Sequence, residues 1–198
     1  MPLDFDIERP DEDETVLVLP YVRNFEEGRT NHGFRDTRGR PELIDEIAEA
    51  GTSPALKELL RSLAQPASRY FSIGCDLRTW PPSEPVNAYQ AAGYVQLLSS
   101  DLDREAIHRR RQMLFGRGLE AHLDSHVGGD DWVVRFAVAM VGAAELGGPE
   151  QVWSPVIEFS ALGETAVEAN ASAERLMLAL RDFVAPAAAL QSGRGEAS

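Results

Sequence analysis

The sequence predicts an α+β fold: a mostly antiparallel sheet with helices on one face, in the order β-α-α-β-β-α-β-β-α. Three observations carry this. Apolar residues alternate at period two in the segments 70–78, 88–98, 132–142 and 152–160. They recur at helical spacing in the segments 41–50, 53–65, 101–126 and 164–184. Most of the strands also show one apolar and one semi-polar face, the pattern of a sheet covered on one side.

Taken in order, residues 1–14 hold seven acids and Arg9, too little apolar surface to offset the entropy of ordering, and read as a flexible acidic arm. Residues 15–185 form one α+β domain. It opens with a β-rich run, TVLVLPYVR, that Pro20 marks as an edge strand or a bend. The polar loop 24–40 follows, with three glycines, His32 and the arginines Arg29, Arg35, Arg38 and Arg40. Loops of this length inside a domain are commonly functional or mobile. Pro41 suits a first helical turn, and Gly51 stops that helix. Ser53 caps the next, with Leu56, Leu59, Leu60 and Leu63 on one face.

In the third strand Phe71, Ile73, Cys75 and Leu77 fall on the inner face. Tyr70, Ser72 and Asp76 fall on the outer one. The fourth strand places Gln90, Tyr94 and Gln96 outward. The helix 101–126 starts behind Asp101. Its apolar face is set by Ala106, Ile107, Met113 and Leu114, and a kink is expected at Gly116 and Gly118. Strand 132–142 is apolar on both faces and reads as central. Pro155 marks strand 152–160 as an edge or a bulge. The last helix carries a nearly complete core stripe from Ala166 to Val184, and residues 186–198 read as a disordered tail.

The halves 67–126 and 131–185 share the element order of one ββα unit, without a residue-level repeat. The outer sheet face, with Tyr70, Ser72, Tyr94, Arg135 and Glu158, is a binding or dimerisation surface or a simply solvated one.

Composition narrows the function classes. A net charge of −13 repels phosphates, so neither nucleic acid nor an anionic membrane is an expected partner. Cys75 is the only cysteine, which excludes an internal disulfide and a thiolate metal cluster. The N-terminus lacks the basic and apolar regions of a signal peptide, and the chain is expected in the cytoplasm. Nucleotide-binding glycine patterns and a serine-hydrolase elbow are absent from the sequence, and no cofactor is predicted.

Three constellations remain as candidate sites. His122 and His126, four apart, share a helix face and with Asp130 or Asp131 offer ligands to a divalent metal; as histidines near a helix C-terminus they equally complement its dipole. His32, Arg35 and Arg38 on the long loop form an anion pocket if they converge with Arg110 of the arginine-rich helix. Arg110 is placed at the edge of the apolar face as a buried, paired arginine. Tyr94 and Arg135 mark the open sheet face. Cys75, on the inner face, reads as an inert small hydrophobe.

The acidic charge and the helix–strand–strand–helix–strand–strand–helix order of residues 41–185 resemble the small chaperones of bacterial type III secretion. The first strand and the arginine-rich loop lie outside the resemblance, which implies a non-enzymatic dimer that binds a protein client. The functional expectation is accordingly a protein-binding or adaptor module, a homodimer with a protein client. The alternative is a small-molecule enzyme or sensor that holds an anionic ligand between the two arginine-rich segments.

Overall fold

The computed structural model describes residues 4–5, 16–23, 32–84, 87–127 and 132–185. The elements are β1 (Asp4–Phe5), β2 (Leu17–Val18), two 3-10 turns (Pro41–Glu46 and Glu49–Gly51), α1 (Pro54–Leu63), β3 (Tyr70–Trp80) and β4 (Tyr89–Ser99). A π turn (Leu102–Ala106), α2 (Arg109–His126), β5 (Trp132–Gly142), a 3-10 turn (Ala144–Leu146), β6 (Gln151–Gly163) and α3 (Ala166–Val184) complete them. The expected α+β class and order hold, with the first helix drawn as 3-10 turns. The remainder of the acidic arm, the loop 24–31 and the tail from 186 lie outside the described residues.

The sheet runs β3-β4-β6-β5, with all three pairs antiparallel. The short β1 and β2 lie parallel on the outer edge of β5. The two hairpins therefore meet through their second strands, β4 and β6, and each hairpin is followed by a helix. All three helices pack on one face: α1 toward β3, α3 across β4 and β6, and α2 toward β5 and β6. Between helices and sheet lies the main core, including Leu56, Leu60, Val95, Phe136, Ile157, Leu176 and Leu180. Burying each such side chain contributes about 1.5–3 kcal/mol. Among the described residues no helix is long and apolar enough to cross a membrane.

Local chemistry fixes the helix ends. Ser53 Oγ accepts the Leu56 amide at 3.0 Å and donates to Glu174 of α3, whose other carboxylate oxygen accepts the Ala55 amide at 2.7 Å. The first turn of α1 is thus capped by a carboxylate from α3, with the favourable sign for the helix dipole. Thr165 and Glu168 form a reciprocal capping box at the start of α3.

Four expectations are corrected. A bulge in β3 between Ser72 and Gly74 inverts the side-chain phase. Tyr70, Cys75 and Leu77 face the helices, whereas Phe71 and Ile73 turn to the opposite face. There they join Leu98, Val141 and Val152 in a second core roofed by Leu19, Tyr21 and Phe34. One end of the outer face is therefore covered by the segments 16–23 and 32–38, and only the rest is open. Second, β6 is central rather than an edge. Pro155 is tolerated because the β4–β6 ladder stops at Val156, so the proline has a strand partner on one side only.

Third, the helical segment 101–126 breaks at Ile107-His108, not at its glycines. The break shifts the phase, so Ile107 and Leu114 are exposed while Gln112, Gly116, Leu119 and Leu123 are buried. Fourth, the same shift leaves Arg110 on the exposed side of α2 rather than in the core. It is Arg109 that lies over the Trp153 ring, 5.5 Å from its centroid.

A candidate binding cleft along the edge of strand 3

The β3 bulge opens a half-enclosed cleft of about 430 Å³ beside the edge of the sheet. Its floor is Ser72 to Asp76 of β3 together with Tyr94 of β4. One wall is Tyr21, Arg23, His32, Gly33 and Arg35, and the other is Ile44, Glu46, Ile47 and Glu49 of the 3-10 turns. The volume falls within the range of small-molecule sites.

Gly74 is what keeps the floor open. A Cβ there would meet the Tyr94 ring edge and hydroxyl at 3.4 Å and the Tyr21 hydroxyl at 3.5 Å. Tyr21 donates to the Ile73 carbonyl at 2.8 Å, which ties the covering segment to the bulged strand. Gly33 has φ +85°, a left-handed backbone that favours glycine, and it lets the chain pass close to Arg23.

The cations of the cleft are largely neutralised in place. Arg35 pairs with Glu46, and Arg78 Nε lies 3.1 Å from Asp76 Oδ2. Arg23 is exposed and makes no ion pair among the described residues. The weak acids stay protonated. Burial pushes the Tyr21 and Tyr94 phenols upward, and it pushes the Cys75 thiol up to about 12. In each case the Glu49 carboxylate adds to the effect. Cys75 faces the helix side, as expected from the sequence, and also lines this cleft.

Of the residues singled out from sequence, the cleft brings together His32, Arg35 and Tyr94, with Ser72 and Cys75. The others lie elsewhere. Arg38 sits over the Phe71 ring at 4.6 Å and grips Asp36 in a two-bond fork at 2.9 and 2.7 Å. That bond lowers the Asp36 pKa. Arg38 borders a second, more open depression with Arg69, Asp101, Asp103 and Glu105. None of the arginines of α2 lines the cleft. Arg111 and Arg69 both pair with Glu105, at 3.3 and 3.0 Å. Arg135 pairs with Glu158 at 2.9 Å across the open face, where the two are directly opposite in the β5–β6 register.

His122 and His126 stack with ring centroids 4.0 Å apart on the seam between α2 and α3. His122 Nε2 lies 3.0 Å from the Ala179 carbonyl, and His126 Nδ1 lies 2.8 Å from the His122 carbonyl. Those bonds occupy one ring nitrogen on each residue. Among the described residues no group of three histidine, cysteine or acidic side chains is arranged to hold a metal. Asp130 and Asp131 lie outside the described residues.

Sequence reasoning missed Tyr21, Glu49 and the role of Gly74. A glycine inside an alternating strand pattern was the available signal, because it often marks a bulge. Comparison with protein-family models, with curated proteins and with solved structures returned no match, so the resemblance to secretion chaperones rests on element order and charge alone.

Proposed function

We propose that the chain is a non-catalytic binding module whose working site is the cleft along β3. One observation carries this reading. The cleft has the volume of a ligand site, yet its phenols and its thiol, Tyr21, Tyr94 and Cys75, are held in their protonated forms. A nucleophile or base needs the opposite shift. The Tyr94 hydroxyl has no hydrogen-bond partner among the described residues and borders the cleft, as a recognition group does. The anionic ligand expected between two arginine segments loses its support, since the α2 arginines are absent from the cleft and Arg35 is paired within it.

The test is a thermal-shift screen of metabolite-sized compounds on the wild type and on Gly74→Phe in parallel. Gly74 does not have a left-handed backbone, and a Cβ there meets only ordinary contacts, so the backbone accepts a side chain; the ring is expected to occupy the cleft, with folding of the variant checked by circular dichroism. Compounds that raise Tm in the wild type and lose the effect in the variant support the reading. Hits that survive Gly74→Phe, or no hits at all, overturn it.

The homodimer belongs to the same proposal, in the cytoplasm, through the open part of the sheet where Val133 is 51% exposed beside Arg135 and Glu158. Light scattering is expected to give twice the chain mass, and a monomer mass contradicts it.

A further inference from the structure

Glu49 is the group in the cleft that its surroundings do not account for. Its side chain is only 19% exposed. Among the described residues its carboxylate accepts no hydrogen bond. Its one polar contact is His32 Nε2, at 4.0 Å, beyond hydrogen-bond range. The other two acids of the cleft, Glu46 and Asp76, each hold an arginine. A largely buried carboxylate without a donor costs free energy unless something in the cleft supplies one.

The groups around it fit a cation better than they fit an anion. Tyr21 and Tyr94 line the same cleft, and a phenol ring offers a negative face and an oxygen acceptor to an organic cation. Ile44, Ile47 and Ile73 supply an apolar wall for the body of such a molecule. A compact metal ion is a poorer match, because no described group of three ligating side chains exists here. The chain's net charge of −13 raises the local concentration of cations and lowers that of anions. Arg23 is the opposing feature. It is exposed, so solvent screens its charge more strongly than that of Glu49.

We infer that the cleft binds a small organic cation, an amine with an apolar body, whose ammonium group pairs with Glu49 between Tyr21 and Tyr94. This inference rests on the reading of the cleft as the binding site and adds the class of ligand.

The experiment is calorimetric titration with three probes of one shape: benzylamine, benzyl alcohol and benzoate. Wild type, Glu49→Gln and Glu49→Asp are compared at neutral pH, with folding of each variant checked by circular dichroism. The wild type is expected to bind benzylamine at least tenfold tighter than benzyl alcohol, with no measurable heat for benzoate. Glu49→Gln is expected to weaken benzylamine at least tenfold and benzyl alcohol by clearly less, while Glu49→Asp keeps part of the preference. A preference for benzoate, equal affinity for all three, no binding of any probe, or benzylamine affinity untouched in Glu49→Gln each overturns the inference. The binding-site reading fails separately, on the Gly74→Phe screen: neutral or anionic hits lost in that variant leave the site standing and remove only the amine.

Discussion

Replacing each of the two glycines of α2 by alanine separates helix propensity from packing, because only one of them touches the sheet. A Cβ built on Gly116 would lie 2.6, 2.7 and 2.9 Å from three ring carbons of Phe136. Carbon atoms in contact sit about 3.5–4.0 Å apart, so the overlap is on the order of 1 Å. Phe136 is fully buried on β5 and its ring packs 6.1 Å from that of Phe115, so it has little room to move. Relief means lifting α2 off β5 or forcing the ring off its rotamer, a cost of about 1–3 kcal/mol.

A Cβ on Gly118 meets only the far end of the half-buried Phe183 ring, at 3.3 Å. Both substitutions gain the same helix propensity, about 1 kcal/mol. Subtracting one variant from the other cancels that gain and leaves the steric cost. Gly118→Ala is therefore expected to be more stable than Gly116→Ala by about 2 kcal/mol, and near or above the wild type. Urea unfolding followed by circular dichroism measures this from the midpoints at constant m. Two variants within about 0.5 kcal/mol of each other would refute the close docking of α2 on Phe136.

Other outcomes follow from the caps, the histidine seam and the thiol. Glu174→Ala removes the acceptor of the buried Ser53 hydroxyl and of the Ala55 amide. It is expected to cost about 2 kcal/mol, or a Tm roughly 6 °C lower; an unchanged Tm rules out the cross-helix cap. The pKa of His122 is lowered, first by burial and then by the neighbouring His126. A histidine depressed in the folded state binds its proton more readily when unfolded, so stability is full above the ordinary value near 6.5 and falls as pH drops below it. His122→Gln is expected to flatten that fall in a pH series of unfolding curves, and an unchanged slope counts against it. Cys75, with its thiol pushed up to about 12, is expected to react with a disulfide reagent at neutral pH at least ~100-fold more slowly when folded than when unfolded in urea. Similar rates in both states contradict its burial.

Much of the fold was legible because it follows from periodicity. The alternation in the segments 132–142 and 152–160 and the core stripe of α3 each specify one face for many residues at once, and the structure places them there. What failed were single-residue events that shift a phase. The β3 bulge moves Phe71 and Ile73 to the far face from Cys75 and Leu77, and the break at Ile107-His108 turns Leu114 and Arg110 to solvent. One inserted residue inverts a strand and a one-residue slip rotates a helix by about 100°, and pattern matching does not register either.

The site was less legible than the fold. His32, Arg35 and Tyr94 were identified and share the cleft. The expectation of an anion pocket rested on charge read one residue at a time. It counted arginines without seeing that Glu46 and Asp36 hold Arg35 and Arg38. Ion pairing between residues close in sequence is common enough that a run of arginines predicts charge, not availability. Glu49, inside what read as an ordinary helix, gave no signal at all.

The most direct test of the cleft as the binding site is amide chemical-shift mapping during a benzylamine titration of the full chain. Shifts are expected to concentrate at Gly33, Ile47, Glu49, Gly74, Cys75 and Tyr94, and to vanish in Gly74→Phe. Shifts centred on His122 and His126, on Arg110, or on Arg135 and Glu158 of the open sheet face would contradict it.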